Sequence, residues 1–314
     1  MSKAFIFPGQ GCQKQGMGSD LYAQFPKAKE LFERANDFLG YKITDVMFHG
    51  TEEELMETKN TQPSVFVYET ILAMCQDDVT PDVVAGHSLG EFAALVINGT
   101  ISFEDGLNLV LNRAIIGQKA CDKYPTGMGA VIGLSDEYVA QRIKEIWDET
   151  GEPVYLANYN GPGQVVISGS MKGVLKACKA FRKEGAKKAV PLAIGGSFHT
   201  PYMDEAREEL GEIIKRTPFS TPKIPIYQCV DALPHTDPDE IKENLIQHIT
   251  HPVLWTDMTR NMVKDGITEF YEVGTDDTLE KIVRRMAPEL HQRSLLDVPT
   301  YAGKVKNFKI IREQ

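Results

Sequence analysis

Ser88 stands between two glycines in Gly86-His87-Ser88-Leu89-Gly90-Glu91, directly after the apolar run Val83-Val84-Ala85. A β-branched run, Gly-x-Ser-x-Gly and then a helix-period segment (Phe92, Leu95, Val96) has the sequence form of a nucleophile elbow. The glycines let the backbone turn sharply from strand to helix where a Cβ would obstruct it. The turn lifts the hydroxyl to the head of a helix, where the dipole favours developing negative charge. Taken alone, the pentapeptide fits equally a plain corner whose serine caps the helix.

A serine nucleophile needs a base. Gly196-Ser197-Phe198-His199-Thr200-Pro201 offers one, on a glycine-rich approach that lets the ring swing over a cleft. Arg113 follows Leu107, Leu109, Val110 and Leu111, so its guanidinium emerges from a half-buried helix. It suits a carboxylate held bidentately, or a structural ion pair. Phe7-Pro8-Gly9-Gln10-Gly11 closes a first strand. Its glycines allow the close approach of a loop that lends an N–H to an oxyanion hole, or they simply end the strand. No Gly-x-x-x-x-Gly-Lys follows, so it is not a phosphate loop. His248-x-x-His251 could share a helical face as metal ligands do, but no third ligand is near and Pro252 ends the segment; no metal is expected.

The elements that must position these residues alternate as in an α/β protein with a largely parallel sheet. The pattern predicts strands over 4–7, 83–85, 224–230 and 269–273, and helices over 27–39, 64–76, 89–98 and 103–120, with Gly40 and Gly99 at helix ends. Between Gly127 and Gly195 it changes to strand 128–134, helix 136–150, strands 154–158 and 164–168, helix 171–184 and strand 189–194. That βαββαβ order is a complete ferredoxin-like unit. A domain of residues 127–195 is therefore expected, inserted into a larger one made of 1–126 and 196–314. An insertion that leaves after the elbow and returns at His199 makes an interdomain cleft.

Composition excludes several classes. At 42% hydrophobic and 25% charged residues the chain is not disordered, and no apolar run reaches the roughly 18 residues of a membrane span. The N-terminal apolar stretch is too short for a signal peptide. Cys12, Cys75, Cys121, Cys178 and Cys229 include no Cys-x-x-Cys pair, which argues against a disulfide framework and fits the cytoplasm. A net charge of −10 disfavours a nucleic-acid partner.

Five motifs in order carry a resemblance: Phe7-Pro8-Gly9-Gln10-Gly11, the Ser88 elbow, Arg113 placed 25 residues after the serine, Ala157-Asn158-x-Asn160-x-Pro162-x-Gln164-Val165-Val166-Ile167-Ser168-Gly169, and Ser197-Phe198-His199. Together they resemble the malonyl-CoA:acyl-carrier-protein transacylase family, the fatty-acid-synthesis relative of polyketide-synthase acyltransferase domains. The resemblance implies an α/β-hydrolase-like large domain with a ferredoxin-like insert. It implies Ser88 as nucleophile, His199 as base, Arg113 as the malonyl carboxylate's partner, and the N–H groups of Gln10 and Leu89 as the oxyanion hole. Gln62, Asn158, Asn160 and Phe198 would also bind substrate, Phe198 narrowing the pocket in favour of malonyl over methylmalonyl. Malonyl-CoA would acylate Ser88, and the phosphopantetheine thiol of acyl carrier protein would then take the acyl group, with no bound cofactor. The alternatives are a stand-alone acyltransferase for a polyketide synthase and an esterase, which would want an acidic partner between Ser88 and His199 and would not need Arg113. A cytoplasmic monomer is expected.

Three positions depart from the family pattern. His248 stands where a glutamine carbonyl usually orients the catalytic histidine; any residue's carbonyl can do this. Glu272-Val273-Gly274-Thr275-Asp276-Asp277 replaces a Gly-Pro-Gly loop, and Cys12 replaces a serine, which predicts an alkylatable thiol at the site mouth. Finally, Lys172, Lys176, Lys179, Arg182, Lys183, Lys187 and Lys188 form a basic face on the insert's second helix and turn. Beside the cleft, such a face would steer an acidic carrier protein; the same charges also suit a merely solvated helix.

Overall fold

The computed structural model describes residues 2–308, so the last six residues of the expected large domain lie outside the described residues. Among the described residues the strands are β1 (Ser2–Phe7), β2 (Val83–Gly86), β3 (Thr126–Ile132), β4 (Val154–Gly161), β5 (Gln164–Ser170), β6 (Lys188–Gly195), β7 (Ile226–Tyr227), β8 (Pro234–His235), β9 (Ile267–Glu272) and β10 (His291–Ser294). They make two sheets.

The larger sheet has the order β10-β9-β1-β2-β7-β8 and is parallel except for β8. Alternation along β1 sends Ala4 and Ile6 into a core with Trp255 and Phe270, and Phe5 and Phe7 into another with Phe66 and Phe92. Both faces are thus covered, as a parallel sheet requires.

The smaller sheet has the antiparallel order β4-β5-β3-β6. Helices Asp136–Thr150 and Met171–Lys183 cover one face, where Val139, Val174 and Phe181 pack on Val131, Val165 and Ile167. This is the ferredoxin-like arrangement that the alternation predicts. The opposite face carries Met128, Val166 and Leu192 toward a cavity.

Strand β4 joins the two halves. On its edge away from β5 it meets the segment at Val253: the Val253 N–H donates to the Ala157 carbonyl at 2.8 Å and the Tyr159 N–H to the Val253 carbonyl at 2.9 Å. Thr256 Oγ1 adds a bond to the Tyr159 carbonyl at 3.0 Å.

Some expectations shift. The strand predicted over 224–230 shrinks to two residues, because the chain turns off at Cys229, whose N–H donates to the buried Glu91 carboxylate at 2.9 Å. The helix expected from 64 begins earlier, Thr58–Met74, and accommodates Pro63. The elbow helix is Gly90–Ile97, flanked by Leu89 and Asn98, and the arginine helix runs Phe103–Lys123. Strand β10 and the helices Asp204–Arg216, Pro238–Gln247, Trp255–Lys264 and Thr278–Met286 are additional to those expectations, and each of these helices turns an apolar face to the interior.

Candidate active site

Two strand ends and their loops build the floor of the site. Gly86 ends β2 where a Cβ would lie 2.0 Å from the Glu91 amide nitrogen, and at Gly90 one would lie 2.2 Å from the Phe7 carbonyl oxygen. The loops after β1 and β2 are therefore pressed together backbone to backbone. Ser88 sits at the apex with φ 53°, a left-handed conformation costly for a non-glycine residue. Leu89 caps the following helix, so its N–H belongs to the set a helix start leaves without an intrahelical partner.

His199 arrives on the chain that returns from β6, and it too is left-handed, φ 62°. Its Nε2 lies 2.7 Å from Ser88 Oγ. Its Nδ1 faces two carbonyl oxygens, of His251 at 2.9 Å and His248 at 3.1 Å. Nδ1 must therefore carry the proton, which leaves Nε2 free to accept from the serine. Burial, and next the nearby Arg113 charge, push the His199 pKa down to about 3. The ring is a neutral acceptor.

Arg113 is 2% exposed on the Phe103–Lys123 helix. Nη2 donates to Ser88 Oγ at 3.2 Å and Nη1 to Gln62 Oε1 at 2.8 Å, while Nε has no hydrogen-bond partner among the described residues. Burial pulls its pKa down to about 10, so it stays charged at neutral pH. The cation faces the Phe198 ring, 5.3 Å from guanidinium carbon to centroid. Asn160 is held at 2.7 Å by His87 Nε2.

These groups surround a cavity of about 260 Å³. Of the residues singled out from the sequence, Gln10, Ser88, Arg113, Asn158, Asn160, Phe198 and His199 line it. Gln62 stands behind Arg113, and Leu89 is buried under the elbow. His248 is also buried, its ring edge-on to His199 with centroids 5.5 Å apart. The second carbonyl, of His251, has no side-chain signature, so no residue pattern could announce it. Arg285, on the helix Thr278–Met286, was likewise not singled out; it donates at 2.5 Å to Gln164 on the cavity wall.

The departures resolve as follows. Gly274 lets its turn pack on Pro8, Thr275 Oγ1 donates to the Cys12 carbonyl, and Asp276 accepts from the Thr278 N–H at 3.2 Å. The acidic turn thus braces the loop after β1. Cys12 borders the cavity but is 5% exposed, and burial together with Glu69, Asp276 and Glu272 raises its thiol pKa well above the ordinary value. The expectation of a readily alkylated thiol is corrected, because the thiolate is suppressed. The basic helix Met171–Lys183 covers the sheet face opposite the cavity, so its lysines are not beside the cleft as expected.

Among the described residues, ligand-type atoms of Glu91, Cys229 and His248 lie within 4.8 Å of one another. The two carboxylate oxygens already accept from Gln228 Nε2 at 3.0 Å and the Cys229 N–H at 2.9 Å, and the thiol donates to the Gly86 carbonyl at 3.0 Å. These bonds tie the turn after β7 to the elbow and give the cluster a structural role.

Comparison with known proteins gives the family of the chain. Residues 4–308 match the model of the acyl transferase domain family. The malonyl CoA-acyl carrier protein transacylase of Bacillus subtilis is 37% identical over 314 residues, 98% of each chain. A polyketide biosynthesis malonyl CoA-acyl carrier protein transacylase from the same organism is 38% identical, over 90% of this chain and 96% of its own. The solved transacylase of Coxiella burnetii superposes with a TM-score of 0.90 at 33% identity, covering 94% of each chain. A malonyl-transacylase solved in complex with a type II polyketide acyl-carrier protein gives 0.91 at 31% identity, over 97% of this chain and 99% of that one. No described helix is long and apolar enough to cross a membrane. Sequence and fold together put this chain in the acyl transferase domain family, among the malonyl CoA-acyl carrier protein transacylases.

Proposed function

We propose that the chain moves a malonyl group from coenzyme A to the phosphopantetheine thiol of an acyl carrier protein, supplying fatty-acid chain elongation. Ser88 Oγ attacks the thioester carbonyl carbon while His199 Nε2 takes its proton. The tetrahedral oxyanion is held by the N–H groups of Gln10 and Leu89. As the C–S bond breaks, the imidazolium gives its proton to the departing coenzyme A sulfur. The carrier thiol then gives up its proton to His199, attacks the ester, and Ser88 leaves with that proton. The His248 and His251 carbonyls hold the base's tautomer throughout.

One observation carries this reading: a buried, charged Arg113 sits 3.2 Å from the nucleophilic oxygen, with Nε unpartnered. A simple acyl group would leave that guanidinium unanswered, whereas a free carboxylate satisfies it. Gln10, Gln62, Asn158 and Asn160 would complete the polar side of the pocket, and Phe198 the apolar side. The division into a domain of 127–195 within 1–126 and 196–314, and a cytoplasmic setting, belong to the same proposal; five free cysteines suit the latter. The proposed carrier contact is the helix with Lys172, Lys176, Lys179, Arg182 and Lys183. From there the carrier's arm must pass around the edge of the small sheet, and Arg285, bonded to Gln164 on the cavity wall, offers a cationic contact for its phosphate.

The test is the intact mass after exposure to malonyl-CoA, for wild type and Ser88→Ala. A malonyl adduct on wild type alone is expected; free turnover with no adduct would overturn the reading. Service to a polyketide synthase is the second reading, favoured by the 38% identical polyketide relative. Carrier proteins of the two pathways, compared as acceptors, separate the two.

A further inference from the structure

Glycine in the middle of a helix costs about 1 kcal/mol relative to alanine, so Gly117 within the Phe103–Lys123 helix asks for a reason. It lies one turn beyond Arg113, on the same helix face. A Cβ built there would stand 3.0 Å from both Cε1 and Cζ of Phe198. Phe198 is itself 4% exposed and forms a wall of the cavity that contains Ser88. One turn further along, the relation inverts: at Gly196 a Cβ would fall 1.7 Å from Cys121 Sγ. The segment 196–198 is therefore seated on the helix by two bare positions, one on each partner, and the depth of that seat fixes where the Phe198 ring stands.

We propose that Gly117 is a selectivity-determining residue, acting through Phe198: by carrying no side chain it lets the ring sit back against the helix and sets the width of the acyl pocket at the α-carbon. The inference rests on the malonyl-transfer reading above. A methyl group at position 117 must move the ring. The helix backs it on one side and the Arg113 guanidinium flanks it at 5.3 Å, so the unfilled direction is into the cavity of about 260 Å³. Gly117 touches no substrate in this scheme; it positions a residue that does.

The coupling is measured by a cycle of wild type, Gly117→Ala, Phe198→Leu and the double variant, reading kcat/KM for malonyl-CoA and methylmalonyl-CoA. In the wild-type background, Gly117→Ala should raise the malonyl:methylmalonyl ratio about tenfold, the lower end of the range over which one methylene matters in a tight pocket. The melting temperature should move by no more than a few degrees, because alanine's preference for the helix offsets part of the strain of the displaced ring. In the Phe198→Leu background the same change should move the ratio less than twofold, since no ring remains to be displaced. Equal shifts in the two backgrounds, or none in either, would overturn the inference. If Gly117→Ala does not fold, the double variant, in which leucine makes room for the new methyl, is compared with Phe198→Leu: an unchanged ratio supports the coupling and a changed one refutes it. The wild-type acyl-enzyme mass separates the two failures. Absence of the malonyl adduct defeats the functional reading, whereas a malonylated wild type with an additive cycle defeats only the role of Gly117.

Discussion

On the malonyl-transfer reading a single guanidinium links recognition to chemistry: Arg113 touches Ser88 Oγ, is propped by Gln62, and lowers the proton affinity of His199. Replacing it with alanine should lower kcat/KM for malonyl-CoA by about a hundredfold, the worth of a buried charge-assisted pair, while acetyl-CoA turnover holds or rises. Steady-state kinetics with the two thioesters checks this. The base makes a second prediction. With the pKa of His199 at about 3 rather than the ordinary 6.5, the acceptor form persists as the pH falls. The kcat/KM for malonyl-CoA, which reports the free enzyme, should stay flat from pH 7 down to about 5, and an acid limb centred near 6.5 would contradict it. That Ser88, Arg113 and His199 would meet in one cavity was legible in the sequence, because each has a distinctive side chain in a telling setting. The carbonyl of His251 was not, since every residue has one. Cys12 was misjudged because sequence shows which atom is present and not how deeply it is buried.

At the scale of elements, the elbow was legible because Gly-x-Ser-x-Gly after a strand encodes a turn that only those types can make. What the motif hides is that the second strand end presses on it. A Cβ at Gly90 would meet the carbonyl oxygens of Phe7 and Pro8 at 2.2 and 2.4 Å, and neither backbone can yield without parting β1 from β2. Gly90→Ala should therefore cost about 3 kcal/mol or more despite alanine's better helix propensity, as urea denaturation can show. The short strand β7 was over-read for a related reason: apolar residues recur beyond Tyr227 at Cys229 and Val230, but Glu91 captures the Cys229 N–H and draws the chain away. A long-range hydrogen bond leaves no mark on local periodicity.

For the whole molecule, burial of titratable groups gives stability two opposed slopes. His87, His199 and His248 have pKa values lowered by burial, so below the ordinary 6.5 the unfolded chain binds more protons and stability falls as pH drops. Glu69, Glu91 and Glu272 have pKa values raised by burial. Above the ordinary 4.5 the folded chain holds protons the unfolded chain has lost, and stability falls as pH rises. Between 4.5 and 6.5 the slopes oppose each other, so the melting temperature should be highest in that interval, and Glu69→Gln should flatten the alkaline side. Calorimetry from pH 4 to pH 9 decides it. The two-sheet plan was readable from the order of elements. The stitch between β4 and Val253, which places the orienting carbonyls, was not, because it pairs residues almost a hundred positions apart.

Ser88 and His199 face each other from backbones that only glycine adopts without cost, φ 53° and 62°. The fold thus holds the proposed nucleophile and base in conformations that cost a residue with a side chain. Breeding this protein for heat resistance alone would reward glycine at both positions, so a lineage selected without regard to activity should discard its chemistry before its shape.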